Sequence, residues 1–184
     1  MRETDSSLLI QYLFISSFLL LKYMIYMFGG CSLLKELNLS SFNTNNVITM
    51  DGIFNGCSSL EKLNVSKFNT NIVTNMDAMF SGCSLLKELN LSNFNTNNVT
   101  DMSSMFSGCF SLKELNISNL NTNNVTYMSC MFYNCSSLKE LNLSNFNTKN
   151  VTYMSILFSE CSKDLHIISE DKKIKDEYFK LLSI

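Results

Sequence analysis

The chain contains no proline and no tryptophan, and only six glycines among 184 residues. Without Pro- or Gly-rich runs there is no flexible linker between folded units, so the chain reads as one continuous body. An excess of either charge is also missing: 14 Lys and Arg stand against 16 Asp and Glu, for a formal net charge of −2 and a pI near 5.4. Nucleic-acid recognition draws on a clustered basic face, and this composition supplies none. The single histidine, His166, lies near the end of the sequence. A serine or cysteine nucleophile needs a base beside it, and one imidazole cannot activate residues that recur along the whole chain. A non-catalytic protein without cofactor or metal is expected; turnover lost on replacing His166 would argue for a hydrolase instead.

What is present is repetition. Six of the seven cysteines, Cys31, Cys57, Cys83, Cys109, Cys135 and Cys161, are spaced 26 residues apart. Three residues after the first five come Leu34, Leu60, Leu86, Leu112 and Leu138, then Leu37, Leu63, Leu89, Leu115 and Leu141, then the aliphatics Leu39, Val65, Leu91, Ile117 and Leu143. A period of this length marks a solenoid, in which no unit buries its apolar face alone and stacking supplies the core. With 46% hydrophobic and 16% charged residues the chain can build one.

The unit is clearest over residues 86–109, LKELNLSNFNTNNVTDMSSMFSGC. Leu89 and Leu91 alternate with Glu88, Asn90 and Ser92, the period of a half-buried strand. NTNN is rich in residues that bond their own backbone and predicts a turn. Val99, Met102, Met105 and Phe106 then follow at the spacing of a short apolar helical stripe, and Gly108 suits a left-handed helix end. The fold class expected is α/β: a leucine-rich-repeat-like solenoid with one short parallel strand and one short helix or helical turn per 26-residue repeat. The strands are expected to form one sheet. The methionine stripe belongs inside, where methionine fills gaps, rather than on a metal-binding surface. The cysteine column is expected to stack as free buried thiols. Bridging successive rungs is the alternative, because neighbouring strands lie about 4.8 Å apart, within disulfide Cα separations. Cys130 is out of register, and with Cys135 it lacks CxxC spacing.

Three segments follow. Residues 1–22 carry the apolar run LLIQYLFISSFLLL at 8–21. LFISSF at 13–18 echoes LNLSNF at 89–94, which makes it a degenerate repeat or cap. As a signal or anchor, residues 8–28 would instead associate with a membrane. MRETD lacks a positively charged start, no small-residue cleavage site follows, and the run falls short of the roughly 20 residues of a span. Residues 23–162 form the repeat solenoid. Residues 163–184 depart from it, and SEDKKIKDEYFKLLSI places Ile174, Tyr178, Leu181 and Leu182 at helical spacing with Ser169 as the expected cap. That segment reads as a C-terminal capping helix over the last exposed core. A docking helix for a partner is the alternative.

The candidate binding face consists of Asn38, Asn64, Asn90, Asn116 and Asn142, each between two core residues of its strand, with Ser40, Ser66, Ser92, Ser118 and Ser144 beside them. Such a ladder of polar groups, about 4.8 Å apart, would suit a repetitive ligand; equally, its asparagines could satisfy one another in a solvated face. Glu36, Glu88, Glu114 and Glu140, with Lys62 in one rung, stand beside Lys35, Lys87, Lys113, Lys139 and Glu61 as a mixed-charge surface. The many Asn-x-Ser/Thr triplets, such as Asn90-Leu91-Ser92, are by-products of the repeat, since glycosylating all would crowd the face.

The unit LNLSNFNTNNVTDMSSMFSGCxSLKE resembles the repeat of BspA-like leucine-rich repeat surface proteins, roughly LDLSNFDTSNVTNMSxMFxGCSSL, over about residues 23–162. Strand core, NVT turn, Met-x-x-Met-Phe and Gly-Cys recur together. The chain departs in carrying asparagine where the family often has aspartate, and in its N-terminus, which is not a lipoprotein signal. The resemblance implies a cell-surface or secreted protein, adhesion to a protein or glycan ligand on a host cell or matrix, and no catalytic residues. The alternative is an intracellular scaffold, cytoplasmic if the N-terminus is only a degenerate repeat, or a truncated remnant of a longer repeat protein.

Overall fold

Leucine flanked by charged and amide side chains makes a strand with one wet and one dry side; five such triplets do so here, and a His-Ile-Ile triplet forms a sixth strand. In the computed structural model, which describes residues 21–183, they are β1 (Glu36–Asn38), β2 (Lys62–Asn64), β3 (Glu88–Asn90), β4 (Glu114–Asn116), β5 (Glu140–Asn142) and β6 (His166–Ile168). The choice between signal, anchor and degenerate repeat for residues 1–22, or 8–28 as a membrane segment, rests mostly on residues 1–20, which lie outside the described residues. From Met24 onward the chain is already a rung, with Met24 N–H bonded to Thr49 C=O at 3.0 Å and Phe28 N–H to Ile53 C=O at 2.9 Å.

The strands are parallel and in register, Leu37 opposite Leu63, Leu89 opposite Leu115, and Leu141 opposite Ile167. They pair in twos, β1 with β2, β3 with β4 and β5 with β6, rather than as the single sheet expected from the repetition.

The Met-x-x-Met-Phe segment takes the helical-turn form of the expectation, not an α-helix. Two positions in every repeat are left-handed: Tyr26, Gly52, Ala78, Ser104, Cys130 and Ile156, with φ from 49° to 60°, and Gly30, Gly56, Gly82, Gly108, Asn134 and Glu160, with φ from 56° to 74°. Two left-handed residues four positions apart end any helix before it propagates. Alternate N–H groups close local turns, as Cys83 does on Phe80 C=O at 3.1 Å, while those between reach the next repeat. Phe54, Phe80 and Phe106 N–H each meet the carbonyl of Met79, Met105 and Met131 at 2.9 Å. Glycine at position 108 suits its left-handed φ of 71°, which a side chain with a Cβ would hold only under strain.

The core is a set of columns. Phe28, Phe54, Phe80, Phe106, Phe132 and Phe158 stack with ring centroids 5.5 to 5.8 Å apart. The methionines of the stripe, among them Met76, Met79, Met102 and Met105, are fully buried beside them. All seven cysteines are free thiols. From Cys57 to Cys161, each in-register Sγ donates to a phenylalanine carbonyl one repeat back, as Cys109 does to Phe80 at 3.2 Å. Burial pushes Cys57 up to about 12 and Cys161 to about 11, so these thiols behave as small hydrophobes.

The NTNN turn stitches repeats together. Buried Thr44, Thr70, Thr96 and Thr122 each donate a hydroxyl to the backbone carbonyl of Asn69, Asn95, Asn121 or Asn147 at 2.9 to 3.0 Å. The same hydroxyl accepts that asparagine's N–H at 2.7 to 2.8 Å. At the last of these turns the partner comes from α1 (Lys172–Leu182). Asp171 Oδ2 accepts Thr148 N–H at 2.9 Å, Oδ1 accepts its hydroxyl at 2.7 Å, and Oδ1 also accepts Ile174 N–H at 3.2 Å. Asp171 is therefore the helix cap in place of Ser169, whose hydroxyl instead accepts Asp171 N–H at 3.2 Å. Burial works to raise the Asp171 carboxyl, but the Thr148 hydroxyl and backbone donors outweigh it and hold it below the usual range. Lys173 covers the carbonyls of Thr148 and Val151, and Tyr178 closes the phenylalanine column edge-on to Phe158 at 6.2 Å.

Candidate functional site

The strand face is built by the same triplets that build the core. Each of Asn38, Asn64, Asn90, Asn116 and Asn142 ends its strand, and its Oδ1 accepts the N–H of Ser40, Ser66, Ser92, Ser118 or Ser144 at 3.0 to 3.2 Å. An amide that bends its own backbone in this way stops the strand after three residues. It also fixes the amide's orientation: the oxygen is committed inward and the two N–H donors point away. Among the described residues these asparagines do not bond one another. The asparagines that do are in the NTNN turns, where Asn69, Asn95, Asn121 and Asn147 donate to Asn45, Asn71, Asn97 and Asn123 at 2.7 to 2.9 Å.

The face is not uniform. A groove of about 560 Å³ opens where β2 meets β3. It gathers Asn64, Asn90 and Asn116 with Ser66 and Ser92, and leaves out Asn38, Ser40, Ser118, Asn142 and Ser144. Sequence reasoning missed three of its residues as parts of a site. Asn93 crosses the seam, donating to Val65 C=O at 3.3 Å and Phe68 C=O at 3.2 Å. Glu88 and Glu114 stand directly opposite one another in the β3–β4 register. The available signal was the rung that carries Lys62: across β1 and β2 it faces Glu36 and pairs at 2.6 Å, whereas β3 and β4 both carry glutamate there and place acid against acid. Among the described residues the strand-face bridge is this cross-strand one.

Electrostatics differ in the Met-x-x-Met-Phe turns. Burial, then the negative charges of Asp101 and Asp51, push the Asp77 carboxyl up to about 6, against one backbone bond from Ala78. Asp51 is raised by burial and by Asp101, and its Oδ1 is buried without a hydrogen bond. Among the described residues no group of three or more His, Cys, Asp or Glu is placed to hold a metal ion. His166 lies exposed at the start of β6, apart from the cysteine column. Among the described residues no helix is long and apolar enough to cross a membrane.

No curated protein and no solved structure matches the chain at a significant level. A family model described as "Mycoplasma protein of unknown function, DUF285" matches it twice, over residues 22–114 and 84–173. Those spans cover the stacked 26-residue rungs from the first described one to the start of α1, and the chain belongs to this DUF285 repeat family.

Proposed function

We propose that the protein is a non-catalytic interaction module that binds a protein or glycan ligand through its strand face, as a surface-exposed or secreted adhesin of the BspA-like kind. The observation that carries this reading is the regular row of amide donors turned away from the backbone they cap. A solenoid presents such a row at fixed spacing, which suits an extended or repetitive ligand. The likeness of the repeat unit to those of BspA-like surface proteins supports it further. Protease shaving of intact cells, followed by adhesion of the purified chain to host cells and matrix proteins, tests it. Shaving should remove the protein and the chain should adhere; a protein retained inside intact cells would overturn the surface reading.

An intracellular scaffold is the second reading, favoured by the seven free thiols, since reduced cysteines are the rule in the cytosol. Fractionation separates the two, because only a scaffold stays with the cytosolic fraction.

A further inference from the structure

Among the described residues the strand ladder is open at two seams, β2–β3 and β4–β5, which Asn93 and Asn145 cross in the same way, and at the first of them the face also forms a charged groove. Leu39 N–H bonds Asn64 C=O at 2.9 Å, Leu91 bonds Asn116 at 3.0 Å, and Leu143 bonds Ile168 at 2.8 Å. Among the described residues no such bond joins Val65 N–H to Asn90 C=O, and none joins Lys87 N–H to Glu61 C=O, although Glu61, Lys113 and His166 make the equivalent bond in their own repeats. The β2–β3 seam is held instead by the Asn93 side chain and by the closed turns on the far side of each rung. Strand-edge groups without partners are a template for another extended chain.

The groove over this seam is also electrostatically unfinished. Its floor carries Leu63 and Leu89, and its wall carries Glu88 and Glu114, both exposed. Like charges directly opposite on paired strands repel. Neither carboxylate belongs to an ion pair among the described residues, and no lysine, arginine or histidine lines the groove. Its other polar groups are Ser66, Ser92, the seam-crossing Asn93, and the outward amide donors of Asn64, Asn90 and Asn116, whose oxygens are already used. A sugar that stacks would want an aromatic ring, and none lines the groove. A polyanion would meet two carboxylates.

Resting on the interaction-module reading and naming the ligand for its face, we propose that the β2–β3 groove seats an extended peptide segment bearing lysine or arginine. The cation sits between Glu88 and Glu114, its aliphatic stem lies over Leu63 and Leu89, and the peptide carbonyls accept from the asparagine amides.

The test uses the full chain and two fluorescent peptides of extended propensity, one alternating threonine with lysine and one alternating threonine with glutamate, read by anisotropy. The lysine peptide should bind, with affinity falling as salt rises, and the glutamate peptide should not. Glu88→Gln combined with Glu114→Gln should weaken binding about tenfold, whereas Glu36→Gln, outside the groove, should leave it unchanged. Both exchanged side chains are exposed and removing them relieves repulsion, so an unchanged or higher melting temperature confirms that the double variant is folded. Equal binding of both peptides, no binding of either, or full binding by the folded double variant would overturn the proposal. The broader reading fails separately. If the native chain and the double variant adhere equally to cells or matrix, adhesion stands without this groove. If the chain binds the lysine peptide but stays inside intact cells, the groove stands without surface adhesion.

Discussion

Between neighbouring repeats the NTNN turn is closed by a threonine hydroxyl, whereas at the end of the array the same turn is closed by a carboxylate. Thr96 both donates to Asn121 C=O and accepts from Asn121 N–H. Thr148 faces no such asparagine, and Asp171 takes its hydroxyl and its N–H while capping α1. The demand is identical at both places, because a buried turn cannot leave its polar groups unmet. The interior meets it with a copy of itself, and the end meets it with charge. The phenylalanine column shows the same contrast: parallel rings meet parallel rings until Tyr178 turns edge-on and finishes the stack.

The largest test of that contrast is in the column. Phe106→Ala removes a fully buried ring stacked on Phe80 and Phe132, and should cost about 3–5 kcal/mol by chemical denaturation. Because each repeat touches only its neighbours, this loss should split the unfolding transition into two steps; a single cooperative transition would show that the rungs are coupled over longer range.

Next is the turn itself. Asp171→Ala removes both a helix cap and the partner of Thr148, and should cost about 2 kcal/mol at neutral pH. Thr96→Val, its interior counterpart, should cost about 1–2 kcal/mol. The pH dependence separates them. The Asp171 carboxyl is held below its unfolded value of 3.8, so its contribution is complete above that value and fades as pH falls through the lower, folded one. The gap between native and Asp171→Ala proteins should therefore close in strong acid, while the Thr96→Val gap should not. Thermal melts across pH decide the matter.

The smallest effect runs the other way. The folded Asp77 carboxyl is raised to about 6 against 3.8, so the folded state binds more protons between those values and stability falls as pH rises through them. Asp77→Asn should raise stability by about 1 kcal/mol above pH 6, after allowing for solvent screening of a partly exposed group, and change nothing in acid below the unfolded value. A melting temperature at neutral pH equal to that of the native protein would mean that neither burial nor the charges of Asp101 and Asp51 penalises the Asp77 carboxylate in the folded state.

Much of the fold was legible from the period alone. Leu89, Leu91, Met102, Met105 and Phe106 are all buried, as their spacing requires. The form of the Met-x-x-Met-Phe segment was less legible, because two successive turns with left-handed residues at Ser104 and Gly108 place apolar side chains at the same intervals as one helical turn. The cap was misread by two residues, since Ser169 and Asp171 are both good caps locally and the choice is made by Thr148, a residue far away in sequence. On the strand face, the outward position of the asparagines followed from alternation. Their commitment to the serine N–H groups did not, because the same side chain can bond its own backbone or its neighbour's.

The sequence by itself determined the length of a rung, which columns are apolar, and that the body must be a stack, because a strict 26-residue period leaves each unit unable to bury its own leucines and phenylalanines. Only the tertiary structure decided which strands pair, where the ladder opens into a groove, and that Glu88 faces Glu114 while Glu36 faces Lys62. The reason is that near-identical rungs carry near-identical local preferences. The differences between interfaces are carried by side chains such as Asn93 and Lys62, which act across the space between one repeat and the next.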